Sequence, residues 1–177
     1  MNAPDAFTIR PATVRDIEDV LALWSEAGTH PTITDTSGDL LRLIEEQPGA
    51  LLVAEMHGRL AGSLIAAWDG WRANLYRLAV AREHRRRGLG RALVLEAAGR
   101  LRERGVRRVS LYVVAADEPA LAFWDSLRSC GLTPDPSPKV RYVWNLDSGE
   151  RASGREPPPS PPADGGGHWH GVSSTLP

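Results

Sequence analysis

Residues 50 to 80, "ALLVAEMHGRLAGSLIAAWDGWRANLYRLAV", form an apolar stretch broken by two short turn signals, His57-Gly58 and Asp69-Gly70. Apolar runs separated by such dipeptides read as strands joined by tight hairpins, so this stretch predicts three strands in antiparallel succession, a meander. Its pieces fall well short of the roughly 20 residues needed to cross a bilayer, and no membrane partner is expected.

The flanks are helical and strand-like in turn. "FTIRPAT" reads as a short strand, and Thr13 with Asp16 three residues on resembles a capping box. Val14, Ile17, Leu21 and Trp24 follow at helical spacing, predicting an amphipathic helix that ends near Gly28. After the polar loop "GTHPTITDTSG", a second helix is predicted from about Asp39 to Gln47, stopped by Pro48. Beyond the meander, Leu89, Leu93, Ala97 and Leu101 mark one face of a helix from about Gly88 to Arg104, with Gly105 as its stop. "RRVSLYVVA" is apolar enough to predict a strand buried on both faces. A helix with Pro119 in its first turn and Asp117 or Glu118 as cap runs to about Cys130, and "VRYVWNL" closes the domain as a strand. This order defines an α/β (or α+β) fold with about four helices and a mixed sheet: an antiparallel first half, then a strand-helix-strand crossover.

From Asp147 the chain turns rich in Pro, Gly and Ser, which predicts a domain over residues 1–146 and a disordered tail over 147–177. The 177 residues carry a formal net charge of −1 and are 42% hydrophobic, the profile of one globular domain and not of a polycation. A nucleic-acid partner is therefore not expected. Cys130 is the single cysteine, and no basic-then-apolar leader opens the chain, so a cytoplasmic location is expected. No metal-ligand cluster is evident; His168 and His170 belong to the tail.

The positive charge is local. "EHRRRGLGRALV", residues 83 to 94, falls where a strand gives way to a helix. First-turn amides lack intrahelical partners and the dipole adds partial positive charge, so the place is an anion site before side chains are counted. Gly88 and Gly90 let phosphate oxygens approach the backbone, and Arg85, Arg86, Arg87 and Arg91 surround the cup. The implied ligand is a small phosphate-bearing molecule. No G-x-x-x-x-G-K-[ST] occurs, and Leu93 stands where G-x-G-x-x-G needs its third glycine, so P-loop and dinucleotide folds fit poorly.

Arg85-x-x-Gly88-x-Gly90 after "LYRLAVAREH" resembles the R/Q-x-x-G-x-G/A signature of the GNAT superfamily of acetyl-CoA-dependent N-acyltransferases. "DEPALAFWDSLRSCGL" is similar to that family's N-x-x-A-x-x-[FL]-Y-x-x-x-G-[FY] segment, and "WDGWRANLYRLAV" looks like its bacterial members. The resemblance implies strands that splay apart at the CoA site and acetyl-CoA as co-substrate. It implies that the amides of Arg85, Arg86, Arg87, Gly88, Leu89, Gly90 and Arg91 bind pyrophosphate, and that Leu78, Ala79 and Val80 pair with pantetheine. It also implies that the Leu78 amide stabilises the oxyanion, a contribution of about 3 kcal/mol for one well-aimed donor.

Attack by a neutral amine needs an acid and a base, and here the sequence departs from the family. The late-helix tyrosine is replaced by Trp124, which has no hydroxyl, the asparagine by Asp117, and a strand glutamate by Asn74. Tyr76, Tyr112 and Tyr142 are the candidate acids and Glu83, His30, Asp35 and Asp69 the candidate bases, against the plainer reading of strand aromatics and surface charge. His30, Asp35, Trp68 and Asp69 are the candidate acceptor-site residues, with Trp68 and Trp71 alternatively structural partners across the hairpin. Cys130 is expected to be inert packing. The resulting expectation is acetyl transfer from acetyl-CoA to the primary amine of a small molecule or polypeptide, by a chain that can also form a homodimer. The alternative is an acyl-CoA sensor without turnover.

Overall fold

The computed structural model describes residues 6–29, 31–137, 141, 143 and 145. The chain divides into two units, Met1–Val140 and Arg141–Pro177, and every element below lies in the first. Strands β1 (Phe7–Pro11), β2 (Leu51–Met56), β3 (Arg59–Trp68) and β4 (Ala73–Val80) are neighbours in sequence order and run antiparallel; β5 (Val109–Ser110) joins β4 in parallel. The expected meander is thus the middle of a mixed five-stranded sheet. His57 and Gly58, with φ of 51° and 72°, both adopt the left-handed conformation that a two-residue hairpin needs between Met56 and Arg59. Asp69 makes the other turn by accepting the amides of Trp71 (2.9 Å) and Arg72 (2.6 Å).

Helices cover both faces, which is why β2 and β3 read as unbroken apolar runs and not as alternating ones. On one face α1 (Ile17–Ala27) and α2 (Ser37–Glu46) bury Val20, Leu23, Trp24 and Leu40 against Leu51, Val53, Ile65 and Ala79. On the other, α3 (Leu89–Glu103) and α4 (Glu118–Asp125) set Leu89, Leu93, Ala97, Leu101, Phe123 and Trp124 against Leu52, Ala54, Leu64 and Leu75. Each fully buried leucine contributes about 1.5–3 kcal/mol relative to exposure.

Several sequence expectations are corrected. Val14 is 55% exposed, because a 3-10 turn over Val14–Asp16 precedes α1 and shifts the helical phase onto Ile17, Val20, Leu23 and Trp24. The α2 helix starts at Ser37, capped by the Thr36 hydroxyl that accepts the Asp39 amide at 3.1 Å. The "RRVSLYVVA" run pairs only at Val109 and Ser110, and Tyr112 and Val114 are exposed. It diverges from β4 after that pair, so its far half has no burying neighbour among the described residues. The late helix stops at Asp125, a 3-10 turn carries Arg128–Cys130, and Cys130 is exposed where packing was expected. The expected closing strand "VRYVWNL" lies mostly outside the described residues, as does the whole 147–177 tail.

Asp16 does more than complete a helix start. Its carboxylate accepts the Thr13 amide (2.7 Å) and hydroxyl (2.9 Å) and takes both arms of the Arg10 guanidinium at 2.8 and 2.7 Å. Arg10 also reaches Glu55 of β2 at 2.5 Å, tying β1, β2 and α1 together. The Arg10 hydrogen bond holds Asp16 far below the usual carboxylate range, against the opposing effect of burial.

Candidate active site

The site begins with a change of phase in β4. The Ala73 amide donates to Arg108 beside β5 (3.1 Å), whereas the Ala81 amide donates to Ala61 beside β3 (2.9 Å). Residues an even number apart in a regular strand point their amides the same way, so the alternation slips by one between them. The slip is at Arg77, whose φ of 53° is left-handed, opposite a break in register between Ser63 and Ile65 of β3. Beyond it Ala79 pairs with Ser63, and the amides of Leu78 and Val80 are turned away from β3. They face the gap that opens where β5 leaves β4, since pairing stops at Asn74–Ser110. The sequence carries this signal: the branched aliphatic residues of "LYRLAV", Leu75, Leu78 and Val80, share one face although the first step is three and the second two.

At the far end of β4 the chain passes through a 3-10 turn, Arg82–His84, into α3. Gly88 caps that helix with φ 84°, and the position its Cβ would take is open. The next backbone bond of the helix is Ala92 to Gly88 (3.0 Å), and among the described residues no acceptor meets the amides of Gly88, Leu89, Gly90 or Arg91. His84 beside them buries an Nδ1 that has no hydrogen-bond partner. Arg86, Arg87 and Arg91 are exposed around this corner, with Arg86 itself left-handed at φ 64°. These are the requirements of a phosphate cradle: free donors, positive charge and space.

Two members of the motif act differently from expectation. Arg85 is a brace: its Nε donates to the Val80 carbonyl (3.1 Å) and its guanidinium to the Ala27 carbonyl at the end of α1 (3.0 Å). Gly90 is buried, and a Cβ there would meet the Phe123 ring at 3.2 Å. Its missing side chain lets α4 seat against α3, so it serves packing and not the approach of a phosphate.

The remaining sequence candidates separate by face. Leu75, Leu78 and Val80 pack on the α3 side and Ala79 on the α1 side. Alternation places Tyr76, 46% exposed, on the α1 side, and Arg77 follows it there because of the slip. Asp35 is not an open acceptor group: Arg77 binds its carboxylate, and the Thr32 amide donates to it at 2.7 Å. Asp69 forms the turn, and the amides of Arg72 and Trp71 hold its carboxyl below its usual range. Trp68 is half-buried against the α3-side core with the Arg104 guanidinium 6.0 Å over its ring. Asp117 caps α4 by accepting the Ala120 amide at 3.0 Å, and Trp124 lies half-buried, edge-on to Phe123. Glu83 is exposed on the 3-10 turn, with no ion pair among the described residues. Tyr112 is exposed beyond β5, while His30 and Tyr142 lie outside the described residues. A cleft of about 490 Å³ lined by Gly70, Trp71, Arg72, Gly105, Arg107 and Arg108 lies at the opposite end of β4 from the helix cup. The cup itself is an open corner, with its chemistry in the backbone.

An antiparallel meander thus leads into a parallel strand that splays from it and a helix start with bare amides, the frame of a group-transfer fold. Residues 17–131 match the acetyltransferase (GNAT) family, and the chain belongs to it. Acetyltransferases of Sodalis glossinidius and Pectobacterium atrosepticum are each 30% identical over 112 residues, 63% of this chain and 79% of theirs. Among solved structures, Ard1 of Thermoplasma volcanium superposes with a TM-score of 0.62 at 27% identity, over 68% of this chain and 80% of that one. The ribosomal-protein-S18-alanine N-acetyltransferase of Escherichia coli does so with 0.58 at 25%, over 69% and 76%. The PaiA N-acetyltransferase of Thermoplasma acidophilum, solved with coenzyme A, shares the fold at 19% identity, with a TM-score of 0.61 over 68% and 87%. The protein is an acyltransferase of the acetyl-transferring kind. Among the described residues no helix is long and apolar enough to cross a membrane, and no group of three metal-ligating side chains comes together.

Proposed function

We propose that this chain transfers the acetyl group of acetyl-CoA to the primary amine of a small molecule or polypeptide by direct attack. The observation that carries the reading is the slip at Arg77, which turns the Leu78 and Val80 amides into the β4–β5 gap, on the strand that leads to the bare amides of Gly88 to Arg91. One continuous segment thereby offers donors for a diphosphate, a strand edge for the pantetheine arm and a donor for the acyl oxygen. The Val80 carbonyl is already taken by Arg85, so the edge offers pantetheine the Val80 amide and the Leu78 groups.

On this reading acetyl-CoA supplies the activated thioester, and the protein supplies orientation. Holding two substrates in line removes translational and rotational cost from the barrier. The amine enters from the α1 side, where Tyr76 and the Thr32 and Asp35 side chains bound by Arg77 stand. Tyr76 and Tyr112 each lie two residues beyond the last β4–β5 pair, Asn74–Ser110, where the gap opens. With Glu83 they are the described candidates for proton transfer, since Trp124 cannot perform it. Relatives named acetyltransferases favour turnover over a sensor that only binds.

The test is acetyl transfer by the full chain against a panel of primary amines and N-terminal peptides, beside calorimetric titration with acetyl-CoA. Binding with transfer to at least one amine is expected. Binding without transfer to any amine, or transfer to thiols or alcohols only, contradicts the reading.

A further inference from the structure

Arg77 is a left-handed, non-glycine residue inside a strand, a strained conformation that persists only where its surroundings enforce it. The surroundings are specific. Its guanidinium pairs with the Asp35 carboxylate, both side chains being about 15% exposed or less, and donates to the Thr32 hydroxyl at 2.9 Å. The same guanidinium lies 5.4 Å over the Trp24 ring of α1. The Trp24 indole N–H donates in turn to the Ser63 hydroxyl at 2.8 Å, fully buried on β3 where the register breaks. Asp35 is fixed by the Thr32 amide, so the loop between α1 and α2 is folded onto the charge it binds. Strand slip, opposite strand, helix and loop thus meet at one side chain.

We propose that Arg77 is a positioning residue: clamped by Asp35 and Thr32, it holds the slip in β4 that aims the Leu78 amide, and so couples order in residues 31–36 to acetyl transfer. The catalytic half of this rests on the proposed function; the structural half does not. A nearly buried ion pair that loses one partner leaves the other charge uncompensated, so the clamp is in place or the loop is released. An acceptor that orders the loop tightens the clamp, and one that displaces it loosens the aim of the donor.

The test uses the full chain with Arg77→Gly, which accepts φ near 53° without a clamp, Asp35→Asn, which keeps shape without charge, and Arg77→Lys. Hydrogen exchange on the free proteins is read first. Arg77→Gly and Asp35→Asn should each raise exchange in residues 32–36 and at Leu78 by about tenfold or more, while α3 stays protected. At saturating acetyl-CoA, kcat should fall by up to about 100-fold, with the KM for acetyl-CoA within about threefold of the parent. The double variant should be no worse than the worse single one, because both remove the same link. Arg77→Lys should recover part of the kcat. Unchanged exchange at Leu78 and in the loop overturns the clamp. Multiplicative losses in the double variant, or a changed KM with kcat intact, overturn its coupling to transfer. If the parent acetylates nothing, the proposed function fails alone, and the exchange data still decide whether the clamp exists.

Discussion

Asp16 gains its stabilising role from Arg10, and that role has a sign. Its folded-state carboxyl lies far below the ordinary value of 3.8, so the contribution is full above that value and is lost as pH falls from it toward the folded-state value. Asp16→Asn should cost about 2 kcal/mol at pH 7, and from about pH 5 downward the parent should lose Tm faster than the variant. Parallel Tm-against-pH curves would refute this. At Tyr76 and Tyr112 the prediction is kinetic. The phenylalanine variant at the proton-transferring position should lose about 10²-fold in kcat and the alkaline or acidic limb of its pH profile, with acetyl-CoA affinity retained. Two fully active variants would move the acid to a residue outside the described set. What was legible in the sequence at this scale was composition by place, arginines and glycines at a helix start. What was not legible was division of labour: nothing in "RRRGLG" tells that Arg85 braces two carbonyls or that Gly90 makes room for Phe123, because both facts depend on α1 and α4 arriving from elsewhere.

The two motif glycines belong to different elements and should fail differently. Gly88→Glu places a carboxylate at an open, left-handed cap, so it should abolish acetyl-CoA binding in calorimetry while lowering Tm by only a few degrees. Gly90→Asp should lose stability first, by about 2 kcal/mol or more in denaturant titration, because a side chain there meets the Phe123 ring. If both variants are equally stable and equally silent, the packing role of Gly90 is wrong. Elements with their own periodicity were read correctly: β2, β3 and α3 each carry an apolar pattern and a turn residue at the right distance. β5 was misread because "RRVSLYVVA" has a strand's composition, yet the splay from β4 after Ser110 is a property of two strands together. The slip in β4 sits between these cases, written as one three-residue step and visible once alternation is counted.

For the whole molecule, the compact unit ends at Val140 and the Pro- and Gly-rich stretch lies beyond it. Removing residues 147–177 should leave acetyl-CoA affinity within about twofold and Tm within a few degrees, as that stretch is rich in Pro, Gly and Ser and poor in apolar residues. A large loss on truncation would mean that the tail completes the site. The central claim is narrower: backbone donors on one run of chain, from Leu78 through the first turn of α3, hold the co-substrate. Backbone amide shifts of the full chain, followed by NMR during titration with acetyl-CoA, test it most directly. The largest changes should fall on Leu78, Val80 and Gly88 to Arg91; changes centred on Trp71, Arg107 and Arg108 at the other end of β4, or none, would contradict it.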